Sequence, residues 1–182
     1  MLSPYSDPSY RPTVERRTLA ILVDNEPGVL ARIAGMFSGR GYNIESLTVS
    51  ETEHEKHLSR ITVVTRGTPQ VLDQIKAQLE RLVPVHKVVD LTLSSASIER
   101  ELALVKVRQD NRETRSEYRM EALRLAAAFG ARSIDATLNS FIFEIAGSSD
   151  EVERFVNLMS HIGLVEVART GIASIARGAE GL

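Results

Sequence analysis

The stretch TLAILVDNEPGVLARIAGMFSGRGYNI, residues 18–44, changes its apolar period twice. Leu19-Ala20-Ile21-Leu22-Val23 is a continuous apolar run of the length that fills a buried strand. It breaks at Asp24-Asn25-Glu26-Pro27-Gly28, after which Val29, Leu30, Ile33, Ala34 and Phe37 recur at helical spacing. Gly39 and Gly41 stop the helix, Gly41 being placed for a left-handed cap. Residues 44–49 then resume as a strand, so the segment reads β, α, β with a short polar hinge before the helix.

Working outward, the charged loop SETEHEKH (50–57) leads to a second β-favouring run at 58–65, where Ile61, Val63 and Thr65 share one face. Thr68-Pro69 opens a helix with Leu72, Ile75, Leu79 and Leu82 on one stripe, and Val85, Val89, Leu91 and Leu93 form a closing strand after Pro84. The order is βαββαβ, and it returns in the second half. There, 102–107 reads as a strand, 111–129 as a helix, and 134–137 with 141–145 as a strand pair. Ser148 and Glu151 make a capping box for a helix carrying Val152, Phe155, Val156 and Met159, which stops at Gly163 before a last strand at 164–168. The expected class is α+β, with two tandem ferredoxin-like βαββαβ domains. Their expected bounds are 18–93 and 98–176, separated by an SSAS linker at 94–97. A proline-containing flexible N-terminal arm occupies 1–17 and a loose tail 177–182.

Composition narrows the function classes. The 182 residues carry 22 basic and 24 acidic side chains, a formal charge of −2, which gives no electrostatic reason to expect a nucleic-acid or anionic-membrane partner. No run approaches the roughly 20 apolar residues that span a bilayer, and the N-terminus lacks a signal-peptide core, so the expected location is cytoplasmic. With no cysteine there is no disulfide, thiolate metal site or cysteine nucleophile.

The hinge at 24–28 invites a functional reading. A strand running straight into a helix leaves the first helical N–H groups unpaired at its end, where they attract anions. Pro27 suits the first helical turn, Gly28 clears a side chain from the approach, and Val29 and Leu30 then offer free amides. A docked carboxylate gains about 0.3–2 kcal/mol from the helix dipole and about 1.5–3 kcal/mol from each charge-assisted hydrogen bond. The Asn25 amide has donors and an acceptor for the carboxylate or ammonium of an amino acid. The same residues are also ordinary cap and turn chemistry, and taken alone they favour that reading over the functional one. A second turn asparagine, Asn43, opens the next strand at Ile44. Edge-to-edge pairing of two copies brings such a strand start toward the partner's hinge.

Taken together, NEPGVLARI, RGYNIESLTV, LSRITVVT, QLERLVPVHKVVDL, ERELALVKV and VEVARTGIASIARG follow one another in an order that resembles the regulatory small subunits of acetohydroxyacid synthase, also called acetolactate synthase. The resemblance covers most of the chain. It implies that the first domain is an ACT domain, a small-molecule-binding form of the ferredoxin-like fold. It further implies a homodimer that binds valine, with leucine or isoleucine as weaker effectors, between two such domains. The partner it implies is a catalytic large subunit carrying thiamine diphosphate, magnesium and FAD, activated by association and suppressed by the effector. The motif positions tied to feedback sensitivity match Asn25, Gly28 and Asn43, with backbone contacts from Val29, Leu30 and the partner subunit's Ile44. The 1–17 arm is longer than in compact members of the family.

No catalytic residue is expected in this chain, because no nucleophile elbow, P-loop or dinucleotide fingerprint is present. His54 and His57 with Glu53 and Glu55 read as a solvated loop rather than a metal site. His161 reads as a helix-end residue and His86 as a surface residue. Glu113, Glu117 and Glu121, alternating with Arg115, Arg119 and Arg124, read as a solvated helix face. An amino-acid sensor for a different partner and a small standalone transferase are the rival readings.

Overall fold

A computed structural model describes residues 13–53, 57–93, 97–111, 113–179 and 181–182. Most of the expected arm, the centre of the charged loop with His54 and Glu55, and most of the SSAS linker lie outside the described residues. The chain divides into two compact units, one running through Ser97 and including Ala176–Leu182, the other Ile98–Ile175.

The first unit contains β1 (Glu15–Asp24), α1 (Val29–Ser38), β2 (Ile44–Glu53), β3 (Leu58–Gly67), α2 (Pro69–Leu79) and β4 (Val85–Asp90). Its antiparallel sheet has the order β2-β3-β1-β4, which leaves β2 and β4 as edges. Ile21, Ile61 and Val63 of the central strands pack against Val29, Ile33 and Phe37 of α1 and Leu72, Ile75 and Leu79 of α2. The other face of the sheet is closed from solvent at Thr18, Ala20, Thr62 and Val64.

Turn chemistry fixes the ends of the helices. After α1, Gly41 has φ +68°, the Tyr42 N–H donates to Phe37 O at 3.0 Å and the Gly41 N–H to Ser38 O at 3.1 Å. This pair of bonds is a Schellman motif, and it turns the chain back toward β2. Thr68 caps α2 through a bond from the Val71 amide, with Pro69 at the first helical position.

Two expectations for this unit need correction. The first strand begins at Glu15, not Leu19, so the end of the expected arm is sheet, and Arg17 is buried beside Asp73 and Asp90. The last strand ends at Asp90, and Val88 rather than Val89 joins the core. The register explains this, since Leu22 pairs with Lys87 but Val23 with Val85. The residue left over at His86 is a bulge, which shifts the alternation and turns Val85 and Val88 to the same side.

The second unit contains β5 (Ser97–Arg108), α3 (Arg115–Ala128), β6 (Arg132–Ala136), β7 (Ser140–Gly147), α4 (Ser149–Ser160), β8 (Leu164–Arg169) and β9 (Ala173–Ala176). Its sheet runs β6-β7-β5-β8, with β9 as an additional strand on β5 that the sequence did not announce. Ser148 and Glu151 form the complete capping box of α4, and His161 takes the C-cap position. The box holds the Glu151 carboxyl below its usual range, chiefly through the bond from the Ser148 backbone N–H.

Helix α3 starts at Arg115 rather than 111, because the Asn111 side chain takes the Glu113 amide at 3.0 Å and holds a turn there. Arg119 is not part of a solvated face. Its guanidinium lies 4.4 Å above the Phe141 ring and donates to the carbonyls of Thr137 and Leu138.

Candidate effector site

The hinge between β1 and α1 is held from three directions. The Asp24 N–H donates to Pro84 O at 3.2 Å, and the Asp24 carboxylate meets His86 Nε2 at 2.6 Å. The Asn25 N–H donates to His57 O at 2.6 Å. His86 is a surface residue, as expected, and it also fastens the hinge. Nothing local in the sequence marks this pairing, because the two residues meet only through the β1–β4 register.

Within the hinge, Glu26-Pro27-Gly28-Val29 forms a type II turn. Gly28 has φ +89° and ψ −8°, and the Val29 N–H reaches back to Glu26 O at 3.4 Å. Two details of the expected site change accordingly. Pro27 sits at the second position of this turn, not in the helix, and the Val29 amide is already engaged. Gly28 is the N-cap, and the first helical bond runs from the Arg32 N–H to Gly28 O at 3.0 Å. Among the described residues no acceptor engages the amides of Leu30 and Ala31.

This helix start is bare. Among the described residues no side chain caps α1, and no acidic residue occupies its first turn, whereas Thr68 caps α2 and Ser148 caps α4. Asn25, Gly28 and Leu30 are exposed, while the Val29 side chain is buried and ties the helix start to the core. A Cβ built on Gly28 meets nothing within 4 Å, so the approach to the amides is open. The uncapped end of α1 therefore offers donors and positive dipole to an anion.

Asn43 and Ile44 lie elsewhere. The Schellman turn delivers them to the start of β2, where Asn43 O accepts from Thr65 Oγ1 at 2.6 Å and the exposed Asn43 side chain is left for other work. Ile44 is level with Thr65 and Arg17, whereas Asp24 is level with Leu58 and Glu53. The strand between Arg17 and Asp24 spans about 23 Å at ~3.3 Å per residue. One chain therefore brings Asn25, Gly28, Val29 and Leu30 together and holds Asn43 and Ile44 at the opposite end of the sheet.

Among the described residues no group of three or more His, Asp or Glu is arranged to hold a metal ion, and no helix is long and apolar enough to cross a membrane.

Comparison with known proteins gives this geometry its context. Residues 19–87 match the family described as the AHAS small subunit-like ACT domain, and residues 100–178 match the family described as the small subunit of acetolactate synthase. A probable acetolactate synthase small subunit of Archaeoglobus fulgidus is 45% identical over 163 residues, covering 90% of this chain and 98% of that one. The acetolactate synthase isozyme 3 small subunit of Escherichia coli is 40% identical over 164 residues, covering 90% of this chain and 96% of that one. The crystal structure of the acetolactate synthase small subunit from Thermotoga maritima superposes with a TM-score of 0.80 at 36% identity, covering 91% of this chain and 99% of that chain. With both units matched and the fold shared across the length, the chain belongs to the acetolactate synthase small-subunit family, and its N-terminal unit is an ACT domain.

Proposed function

We propose that this chain activates a catalytic acetolactate synthase large subunit and makes it sensitive to feedback by valine, with leucine and isoleucine as weaker effectors. The chemistry belongs to the large subunit with its thiamine diphosphate, magnesium and FAD, and this chain supplies regulation in the cytoplasm. The observation that carries the reading is the bare helix start behind Gly28, and the position of Asn43 at the opposite end of the sheet favours a second copy as the source of the asparagine.

The register supports a homodimer that delivers it. The outer edge of β2 is unpaired in one chain, and Val49, next to Ile61 on the helix-bearing face, is 44% exposed. Leu30 is 42% exposed, and with Ala34 it lies on the flank of α1 away from Arg32 and Met36. Antiparallel pairing of two β2 strands about a two-fold axis covers this apolar edge and keeps both α1 helices on one face. Centred between Thr48 and Val49, it sets Ile44 of one copy against Glu53 of the other, the level of the hinge. The partner subunit's Asn43 and Ile44 thereby close a pocket begun by Asn25, Gly28, Val29 and Leu30.

In that pocket the effector carboxylate meets the helix start, the two asparagines orient its polar groups, and the branched side chain fills the apolar seam. A coupling of about 1–3 kcal/mol between effector binding and the large subunit's active state changes turnover several-fold or more.

Isothermal titration of the dimer with valine tests the site. Asn25→Ala is expected to weaken binding by about ten-fold, the loss of one hydrogen bond to a charged group. Binding of undiminished strength in the variant removes Asn25 from the site.

A further inference from the structure

The chain is slightly acidic as a whole, yet one face of the ACT unit is locally cationic. Arg32 and Met36 lie one turn apart on α1 and Arg40 follows in the turn after it, and together with Gln78 at the end of α2 and Arg81 and Leu82 just beyond it they line an open groove of about 470 Å³. Met36 is nearly buried and Leu82 half-buried, so the floor is apolar while the three arginines stand exposed around it. Among the described residues none of these arginines has a carboxylate partner, whereas Arg17, Arg66, Arg108, Arg124, Arg132 and Arg169 are each ion-paired. Arg32 is already oriented, since its Nη1 donates to Val83 O at 2.9 Å.

A second observation lies in the same groove. The Gln78 side-chain oxygen is buried and accepts no hydrogen bond. A buried acceptor without a donor is costly, and the half-buried Gln78 side chain has only to turn its oxygen toward the groove for a partner's backbone N–H to remove that cost. The groove thus asks for two things at once: carboxylates spaced along the helices and a peptide-like donor between them. Guanidinium forks match carboxylates bidentately and are favoured at protein interfaces. No aromatic ring lines the groove to stack a base, which disfavours a nucleotide.

We propose that the α1–α2 groove is a docking site for an extended acidic segment of the catalytic large subunit. Carboxylates of that segment engage Arg40 and Arg81, and one of its backbone N–H groups reaches Gln78. The proposal rests on the reading of this chain as an activator of such a partner. It concerns the opposite flank of α1 from the effector pocket, so the two are separable by mutation.

The test titrates the full chain into purified large subunit and reads the concentration for half-maximal acceleration of acetolactate formation. Arg40→Glu with Arg81→Glu is expected to raise that concentration by about ten-fold or more, as charge reversal at a docking surface does. Raising KCl from about 50 to about 500 mM weakens the wild-type association and affects the variant less, because the ion pairs are screened. Valine affinity and the urea midpoint of the variant stay at wild-type values, and Lys87→Glu, an exposed reversal on β4, changes the half-maximal concentration less than about two-fold. An unchanged half-maximal concentration in the double variant overturns the groove assignment. So does saturable binding of inorganic pyrophosphate that the double variant loses while association is unaffected, which marks a small-anion site instead. Failure of the wild-type chain to accelerate the large subunit overturns the regulatory reading itself, and the groove with it.

Discussion

Gly28→Asp is expected to abolish the proposed valine sensitivity while activation of the large subunit persists. Three effects at one position add in the same direction. The backbone at Gly28 is left-handed, with φ +89°, a conformation that costs an L-residue about 1–2 kcal/mol. The new carboxylate stands at the N-cap, where it accepts from the free amides that the effector needs. Its charge also repels the effector carboxylate at the same helix end. Losing two charge-assisted bonds at about 1.5–3 kcal/mol each lowers valine affinity by more than about 100-fold. Gly28→Ala separates the causes. Because a Cβ there meets open space, only the backbone cost of about 1–2 kcal/mol remains, and the expected loss is at most about 30-fold. Titration of both variants with valine, beside the activation assay, gives the comparison. Equal losses in the two variants contradict carboxylate capture at the helix start.

Arg17→Met is expected to be the most destabilising of the single changes considered. The Arg17 side chain, 6% exposed, contacts Asp73 at 2.6 Å and Asp90 at 3.3 Å, and Asp90 is equally buried. Burial opposes the charge on Arg17, but the hydrogen bond to Asp73 and the fields of Asp90 and Asp73 outweigh it and lift its pKa above the ordinary arginine value. Removing the cation strands the Asp90 carboxylate in the interior, at a cost of about 3–5 kcal/mol. Asp90 Oδ1 also accepts from the amides of Thr92 and Leu93, so Asp90→Asn keeps an acceptor while deleting the charge. The Arg17→Met cost therefore shrinks in an Asp90→Asn background, a coupling that urea unfolding of the four-member mutant cycle measures directly. Additivity within about 0.5 kcal/mol rules out the stranded charge as the cause.

The two predictions differ in how visible their residues are in the sequence. The strand and helix succession is legible because each element repeats its own apolar period, and the Gly41 and Ser148–Glu151 signals are local. Gly28 is legible as a special position for the same reason, since Pro-Gly between a strand and a helix restricts the turn by itself. The engaged Val29 amide is not legible, because it depends on which turn type the pair adopts. Arg17 looks like part of a charged arm, and only carboxylates 56 and 73 residues away make it an interior residue. The His86 bulge, which rotates Val88 into the core and fastens Asp24, likewise arises between strands rather than within one. Arg119 reads as solvated until the fold lays Phe141 beneath it.

The placement of Asn43 at the far end of the sheet from Gly28 has a genetic consequence. In the proposed homodimer each pocket takes its hinge from one chain and its asparagine from the other, so damage to the two parts is expected to segregate. A chain carrying Gly28→Asp and a chain carrying Asn43→Ala are each expected to be insensitive alone, and co-expression is expected to assemble mixed pairs in which one pocket inherits both faults and the other inherits none. Two defective alleles are then expected to complement each other and restore partial end-product control, which an assay of valine inhibition in the co-expressed protein checks.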